Sequence, residues 1–179
     1  MEATLKRYWN EYVKPYFKDE ARSNKEIDWI YYQHSRPNRF YHGLGHLEFL
    51  LTAFEDIKAK LKSPHLVVIA IFYHDSVFNA LKKNNEEKSA KKAIDALKEG
   101  ALSPPEIEKV HDLIMATKSH IKSEDQDINL FVDMDLAILG SSYSEYEKYS
   151  ASVRKEYSVF PDFIYNKGRK DVLKHFPRL

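Results

Sequence analysis

The chain has 179 residues and a mass of 21.1 kDa, enough for one domain with a buried core. Its 43% apolar and 31% charged residues, with only 5 Gly and 7 Pro, exclude a disordered, collagenous or low-complexity chain. Lys and Arg (28) nearly cancel Asp and Glu (27), so the net charge of +1 supplies no field for a nucleic-acid backbone or an anionic membrane. Cysteine is absent, which removes disulfides, thiolate metal sites and Cys nucleophiles and leaves His, Asp and Glu as the metal ligands on offer.

Leu5, Tyr8, Trp9, Tyr12, Val13, Tyr16 and Phe17 recur at steps of three and four and predict an amphipathic helix that Pro15 bends or ends. Ser23 is the expected cap of a second helix carrying Ile27, Ile30 and Tyr31, and Ser35, Pro37 and Asn38 then open a loop. A third helix is expected from about His46, with Leu47, Leu50, Leu51, Phe54, Ile57 and Leu61. Pro64 starts a fourth, apolar on most sides through Phe72, which is the expected buried centre.

The polar stretch Lys82 to Glu87 leads into Ala90, Ala93, Ile94 and Leu97, stopped by Gly100. Ser103, Pro104 and Glu106 form a capping-box start for a helix with Ile107, Val110, Leu113 and Ile114. Ser123 to Asp127 reads as a polar loop. Ile128 to Leu139, Tyr143 to Phe160, and Asp162 to Phe176 read as further helices. No strand alternation or hairpin signal is present, so the expected fold is all-α: one helical bundle domain of about eight helices spanning 1–179. The N-terminus has no basic region followed by an apolar stretch, and the longest apolar run, Leu66 to Tyr73, is too short to span a bilayer. The expected location is cytoplasmic.

The serine-hydrolase elbow, the phosphate-binding P-loop, the dinucleotide fingerprint and the H-E-x-x-H zinc motif are all absent. What stands out is a set of His and Asp residues in apolar sequence: His42 and His46, the adjacent His74 and Asp75, and Asp133-Met-Asp135. An ionised Asp75 at the end of the most apolar helix carries a heavy desolvation cost unless a cation or hydrogen bonds compensate it. Asp133 and Asp135 repeat the problem in Leu130 to Leu139. Two buried-looking acidic positions and several histidines point to one shared metal site. His42 and His46 share a face only if a helix already begins at His42, and Gly43 and Gly45 stand in that interval.

The order H … HD … D, with the dyad closing an apolar helix, resembles the HD superfamily of metal-dependent phosphohydrolases, which are all-helical. The blocks Arg39-Phe-Tyr-His-Gly-Leu-Gly-His46, Phe72-Tyr-His-Asp75, Asn85-Glu-Glu-Lys-Ser-Ala90, Asp133 to Gly140 and Val153-Arg-Lys-Glu-Tyr157 are similar to its short branch of predicted metal-dependent hydrolases, over roughly Arg36 to Phe176. The resemblance implies His46, His74, Asp75 and one acid of the Asp133/Asp135 pair as metal ligands. Asp135 is preferred, leaving Asp133 to orient a ligand, with His42 open to either role. It implies one divalent ion, Mn²⁺ first, with Mg²⁺, Fe²⁺, Co²⁺, Ni²⁺ and Zn²⁺ compatible with the same donors.

The implied activity is hydrolysis of a small phosphorylated substrate, a nucleotide first, by a metal-activated water. In that reading Asp75 accepts the water's proton and Glu86 or Glu87 is a candidate acid/base. His120 is a candidate donor to the leaving group. Arg39, Lys118 and Arg154 are candidate phosphate contacts, and Tyr41, Tyr157 and His42 line the substrate. Two other readings compete. A di-iron oxygenase of the HD type needs extra His ligands, for which His111 and His120 lie in the right interval. A non-catalytic metal- or ligand-binding regulatory protein needs only the metal site. No nucleic acid or membrane is expected as a partner, and the aromatic N-terminal stripe leaves a homodimer open.

Overall fold

The computed structural model describes residues 1–175, so Phe176, the expected end of the last helix, and the rest of the expected 1–179 domain lie outside the described residues. The fold is all-α, with nine α-helices and no strand among the described residues. They are α1 (Glu2–Tyr8), α2 (Glu20–His34), α3 (Leu44–Ile57), α4 (Pro64–Tyr73), α5 (Asn85–Leu97), α6 (Pro104–Ser119), α7 (Gln126–Leu136), α8 (Tyr143–Glu156) and α9 (Asp162–His175). None is long and apolar enough to cross a membrane.

The N-terminal stripe is not one helix. Beyond Tyr8 the chain widens into a π-helical turn, Trp9–Val13, then tightens into a 3₁₀ turn, Lys14–Tyr16, around Pro15. The wide turn lets Trp9 sink fully into the core, its ring stacked on Phe17 and edge-on to Phe72, while its indole N–H donates to Ser23 Oγ at 2.9 Å. Ser23 is therefore a buried residue within α2 rather than its cap. The cap is Asp19, whose Oδ1 accepts from the Arg22 N–H at 2.7 Å.

Helix α4 is the buried centre, with every residue from Leu66 to Tyr73 out of solvent and with α3, α5, α6 and the Trp9–Val13 turn packed round it. Each large aliphatic or aromatic side chain buried there contributes about 1.5–3 kcal/mol. Polar ties cross the same core. The buried Glu26 of α2 accepts from Lys92 of α5 at 2.8 Å and from Tyr73 OH at 3.3 Å. Asp127, fully buried in the first turn of α7, accepts from the Lys62 and Ser63 backbone N–H groups at 2.8 and 3.0 Å and so fixes the chain entering α4.

The other boundaries follow local chemistry. Helix α3 begins at Leu44 with Gly43 as its cap, two residues before the expected start, and α6 opens on the expected Ser103/Glu106 capping box. Helix α7 ends at Leu136, and the expected continuation to Leu139 is a 3₁₀ turn, Ala137–Gly140. Helix α8 stops at Glu156, four residues before Phe160, because Arg154 draws the Tyr157 and Phe160 carbonyls and the Asp162 carboxylate into a tight corner.

Candidate metal centre and cleft

The end of α4 delivers two side chains to one place. His74, 1% exposed, donates from Nδ1 to the Ile71 carbonyl at 2.9 Å, which turns Nε2 away from the helix. Its neighbour Asp75 brings Oδ2 to 3.1 Å from that Nε2. From α3, His46 Nε2 lies 3.2 Å from His74 Nε2 and 3.9 Å from Asp75 Oδ2. One ligand atom from each of His46, His74 and Asp75 lies within 4.8 Å of the others, a group that could hold a metal ion. Asp135, from the last turn of α7, closes the opposite side, with Oδ1 3.2 Å from His46 Nε2 and 3.8 Å from His74 Nε2. Asp133 is exposed two residues earlier on the same helix.

The electrostatics of this cluster favour a cation. Burial opposes ionisation of both acids. For Asp75 the facing His74 and His42 outweigh it, and for Asp135 the hydrogen bonds from His120 and His46 do so, holding both carboxyls well below the usual range. Burial likewise lowers His74, but Asp75 and then Asp135 reverse the sign and push it up to about 9. Two half-buried carboxylates thus favour a proton on an imidazole that is already oriented by its backbone bond. A divalent ion taking two imidazole nitrogens and two carboxylate oxygens satisfies the same charge demand. These residues fit a metal.

Three further residues shape the site. His42 lies outside α3, so it shares no helical face with His46, yet their rings come within 5.7 Å. Its partner is Glu156 at the end of α8. Glu156 Oε1 accepts from the Tyr41 and His42 N–H groups at 2.8 and 2.9 Å, and Oε2 accepts from His42 Nδ1 at 2.6 Å. Nε2 of His42 is left facing Asp75 Oδ2 at 3.9 Å. Burial lowers the His42 pKa, but Asp75 and Glu156 outweigh it and the net shift is upward. His120 caps α6 in the left-handed conformation (φ 53°), the one positive φ at a non-glycine position among the described residues. There it holds Nε2 3.3 Å from Asp135 Oδ2.

A cleft of about 770 Å³ opens from His42, His120 and Asp135. Its walls carry Tyr41, Tyr149, Tyr157, Phe160 and Tyr165, its cations are Lys82, Lys83, Lys118 and Arg169, and part of α9 covers it. Arg169 donates to Tyr149 OH at 2.7 Å, holding α9 against α8.

The expected substrate contacts divide. Tyr41 and Tyr157 line the cleft, as does Glu86, whereas Glu87 is turned to an ion pair with Lys118, whose stem lines the cleft rim. Arg39 is a buried clamp: it donates to the carbonyls of His42, Asp75 and Ser76 at 2.9, 2.6 and 3.2 Å, and its guanidinium lies over Phe78. It welds the His42 loop to the turn after the dyad. Arg154 is spent on the α8–α9 corner and on the face of Tyr165. His111 is half-buried with Nδ1 3.1 Å from Asp112 Oδ1, and it is not one of the side chains gathered at the cluster.

Glu156, Tyr149 and Arg169 were not anticipated as site residues. Glu156 had one cue, its place one turn after Val153 on the inward face of α8. Comparisons of the chain with protein-family models, with curated proteins and with solved structures give no match.

Proposed function

We propose that the chain is a metal-dependent phosphohydrolase of the HD type acting on a small phosphorylated molecule, a nucleotide first. The observation that carries this reading is the convergence of His46, His74, Asp75 and Asp135, the last of which lines a cleft that also carries tyrosines and lysines. A divalent ion held by these four side chains supplies Lewis acidity toward a phosphoryl oxygen and activates water near neutral pH. Mn²⁺ remains the first choice.

The protein's own groups supply the rest. Asp75, whose Oδ2 lies 3.1 Å from His74 Nε2 and 3.9 Å from His42 Nε2, is assigned the acceptance of the proton from attacking water in this reading. His42, whose pKa Asp75 and Glu156 shift upward against its burial, is the imidazole assigned to face developing negative charge with Nε2. His120, held in place on Asp135, stands at the cleft wall where a leaving oxygen needs a proton. Lys82 and Lys83 offset phosphate charge, and Tyr149 and Tyr157 offer flat faces to a base or sugar.

Metal analysis of protein purified without chelator or metal-affinity tag, followed by a phosphate-release screen over nucleotides with Mn²⁺, tests the reading. About one ion per chain with release from some nucleotide is the expected result. His74→Ala and Asp75→Ala should each abolish both while helical circular dichroism survives. About two irons per chain would favour oxygenase chemistry, and neither metal nor turnover would favour a non-catalytic binding protein. Normal metal content in both variants would overturn the assignment of the ligands.

A further inference from the structure

The cleft that opens from His42, His120 and Asp135 has two unlike walls. One is built by the segment after the dyad, the first turn of α5 and the end of α6, where the Lys118–Glu87 ion pair joins the two helices. It carries Lys82, Lys83, Lys118, Thr117 and Ser119, and Glu86 is its one carboxylate among the described residues. The other wall is built by the end of α7, the Ala137–Gly140 turn, α8 and α9. The two meet where His120 Nε2 lies 3.3 Å from Asp135 Oδ2.

The second wall is mostly apolar. Leu136, Ile138 and Leu139, Phe160 at the α8–α9 corner, and Ile164 and Val172 of α9 all line the cleft. None of the six is fully buried, and Ile164 and Val172 are 47% and 46% exposed, so apolar surface on this side is open to an occupant. On α9 only Tyr165 and Arg169 are half-buried among the described residues, so the helix roofs the cleft without filling it. Tyr149 and Tyr157 add ring faces to the same wall.

What this wall lacks sets its specificity. A site built to hydrogen-bond its substrate rejects an analogue by about 10⁴-fold or more, whereas apolar contact alone separates analogues by about 10- to 200-fold. Among the described residues lining this wall there is no Asn, Gln, Ser or Thr. Its charged side chains beyond Asp135 are Arg169, which already donates to Tyr149 OH at 2.7 Å, and Asp171, which is exposed. The Tyr157 hydroxyl both donates and accepts and turns to suit, so it meets different base edges alike. We infer that the site takes phosphate monoesters of a flat or apolar alcohol, an aryl phosphate as readily as a nucleotide. The phosphate lies between the metal cluster and the lysine wall, and the organic group lies against the apolar wall and the tyrosine rings. The placing of the phosphate rests on the phosphohydrolase reading; the apolar wall does not.

The probes are 1-naphthylmethylphosphonate and methylphosphonate, whose P–C bond does not hydrolyse and which differ only in the apolar body. The full chain with saturating Mn²⁺ should bind the naphthyl compound at least about tenfold tighter in calorimetric titration, with a negative heat-capacity change. Phosphate release from four nucleoside monophosphates should give kcat/KM values within about 200-fold of one another. Ile164→Asn and Val172→Asn together should cut the naphthyl preference by about tenfold, and because both side chains are exposed the helical circular dichroism should survive. Naphthyl preference in binding with no phosphate released from any nucleotide keeps the apolar wall and overturns the hydrolase reading. Release with one base preferred beyond about 200-fold, methylphosphonate bound as tightly as the naphthyl compound, or an unchanged preference in the double variant overturns the inference and leaves the hydrolase reading standing. Neither binding nor release overturns both.

Discussion

At the scale of single residues, Glu156 bears on the cleft through Tyr41 and His42 rather than through the four side chains of the cluster. Glu156 spends both oxygens on the Tyr41 to His42 segment, and by accepting from His42 Nδ1 it fixes which ring nitrogen faces Asp75. Burial opposes the ionisation of Glu156, but the hydrogen bond and charge of His42 outweigh it and lower its pKa, so the pair is a salt bridge across the α3 entrance and the end of α8. Glu156→Gln keeps an oxygen for the backbone N–H groups and removes the charge. The His42 pKa should fall, because burial then meets only the charges of Asp75 and Asp135 in opposition, and stability should drop by about 1–3 kcal/mol. Histidine resonances followed by NMR across pH, with urea unfolding alongside, check both. An unchanged His42 titration would show that the Asp75 and Asp135 carboxylates set its charge without Glu156.

At the scale of elements, the site depends on where helices stop. Helix α4 ends at Tyr73, so that His74 is its C-cap and Asp75 the residue after it, and the chain entering α4 is held by Asp127 from the first turn of α7. The same helix α7 carries Asp135 at its other end, so one element both anchors α4 and completes the cluster. Asp127→Ala removes two hydrogen bonds to a buried charge and should destabilise the protein by about 2–4 kcal/mol, with Asp127→Asn costing less, as read from urea midpoints at constant slope. Equal stability of both variants to wild type would show that the Lys62 and Ser63 amides find other acceptors.

The sequence exposed some of this and hid the rest for physical reasons. An apolar run closing on His-Asp is a local signal, and so is the Ser103/Glu106 box. The roles of Arg39 and Glu156 are set by partners as far as 37 and 115 residues away, and an arginine clamping carbonyls has the same local pattern as one on the surface. Ser23 has the residue type of a cap, but the indole of Trp9 claims its hydroxyl and Asp19 takes the capping position.

For the whole molecule, the buried histidines make stability depend on pH in two windows of opposite sign. His34 has its pKa lowered to about 3 by burial and by Arg39, against an ordinary 6.5, so the unfolded chain binds more protons between those values. Its contribution is present above pH 6.5 and is lost on acidification toward 3. Burial lowers His46 as well, so its contribution also weakens below pH 6.5. His74 has the opposite sign. Raised to about 9 by the carboxylates that overcome its burial, it contributes about 3 kcal/mol that is full below pH 6.5 and lost as pH rises to 9. His42, also raised, adds to that alkaline loss. A bound cation replaces the His74 proton and needs the ring neutral, so it should remove the His74 share of the alkaline loss and leave the share of His42 and the acid limb set by His34 in place. The midpoint of thermal unfolding should therefore fall between pH 6.5 and 9 in chelator-treated protein, fall less with saturating Mn²⁺, and differ most between the two at the alkaline end. Parallel curves with and without Mn²⁺ would mean that the ion does not take the place of that proton, and His74 would lose its role as a ligand.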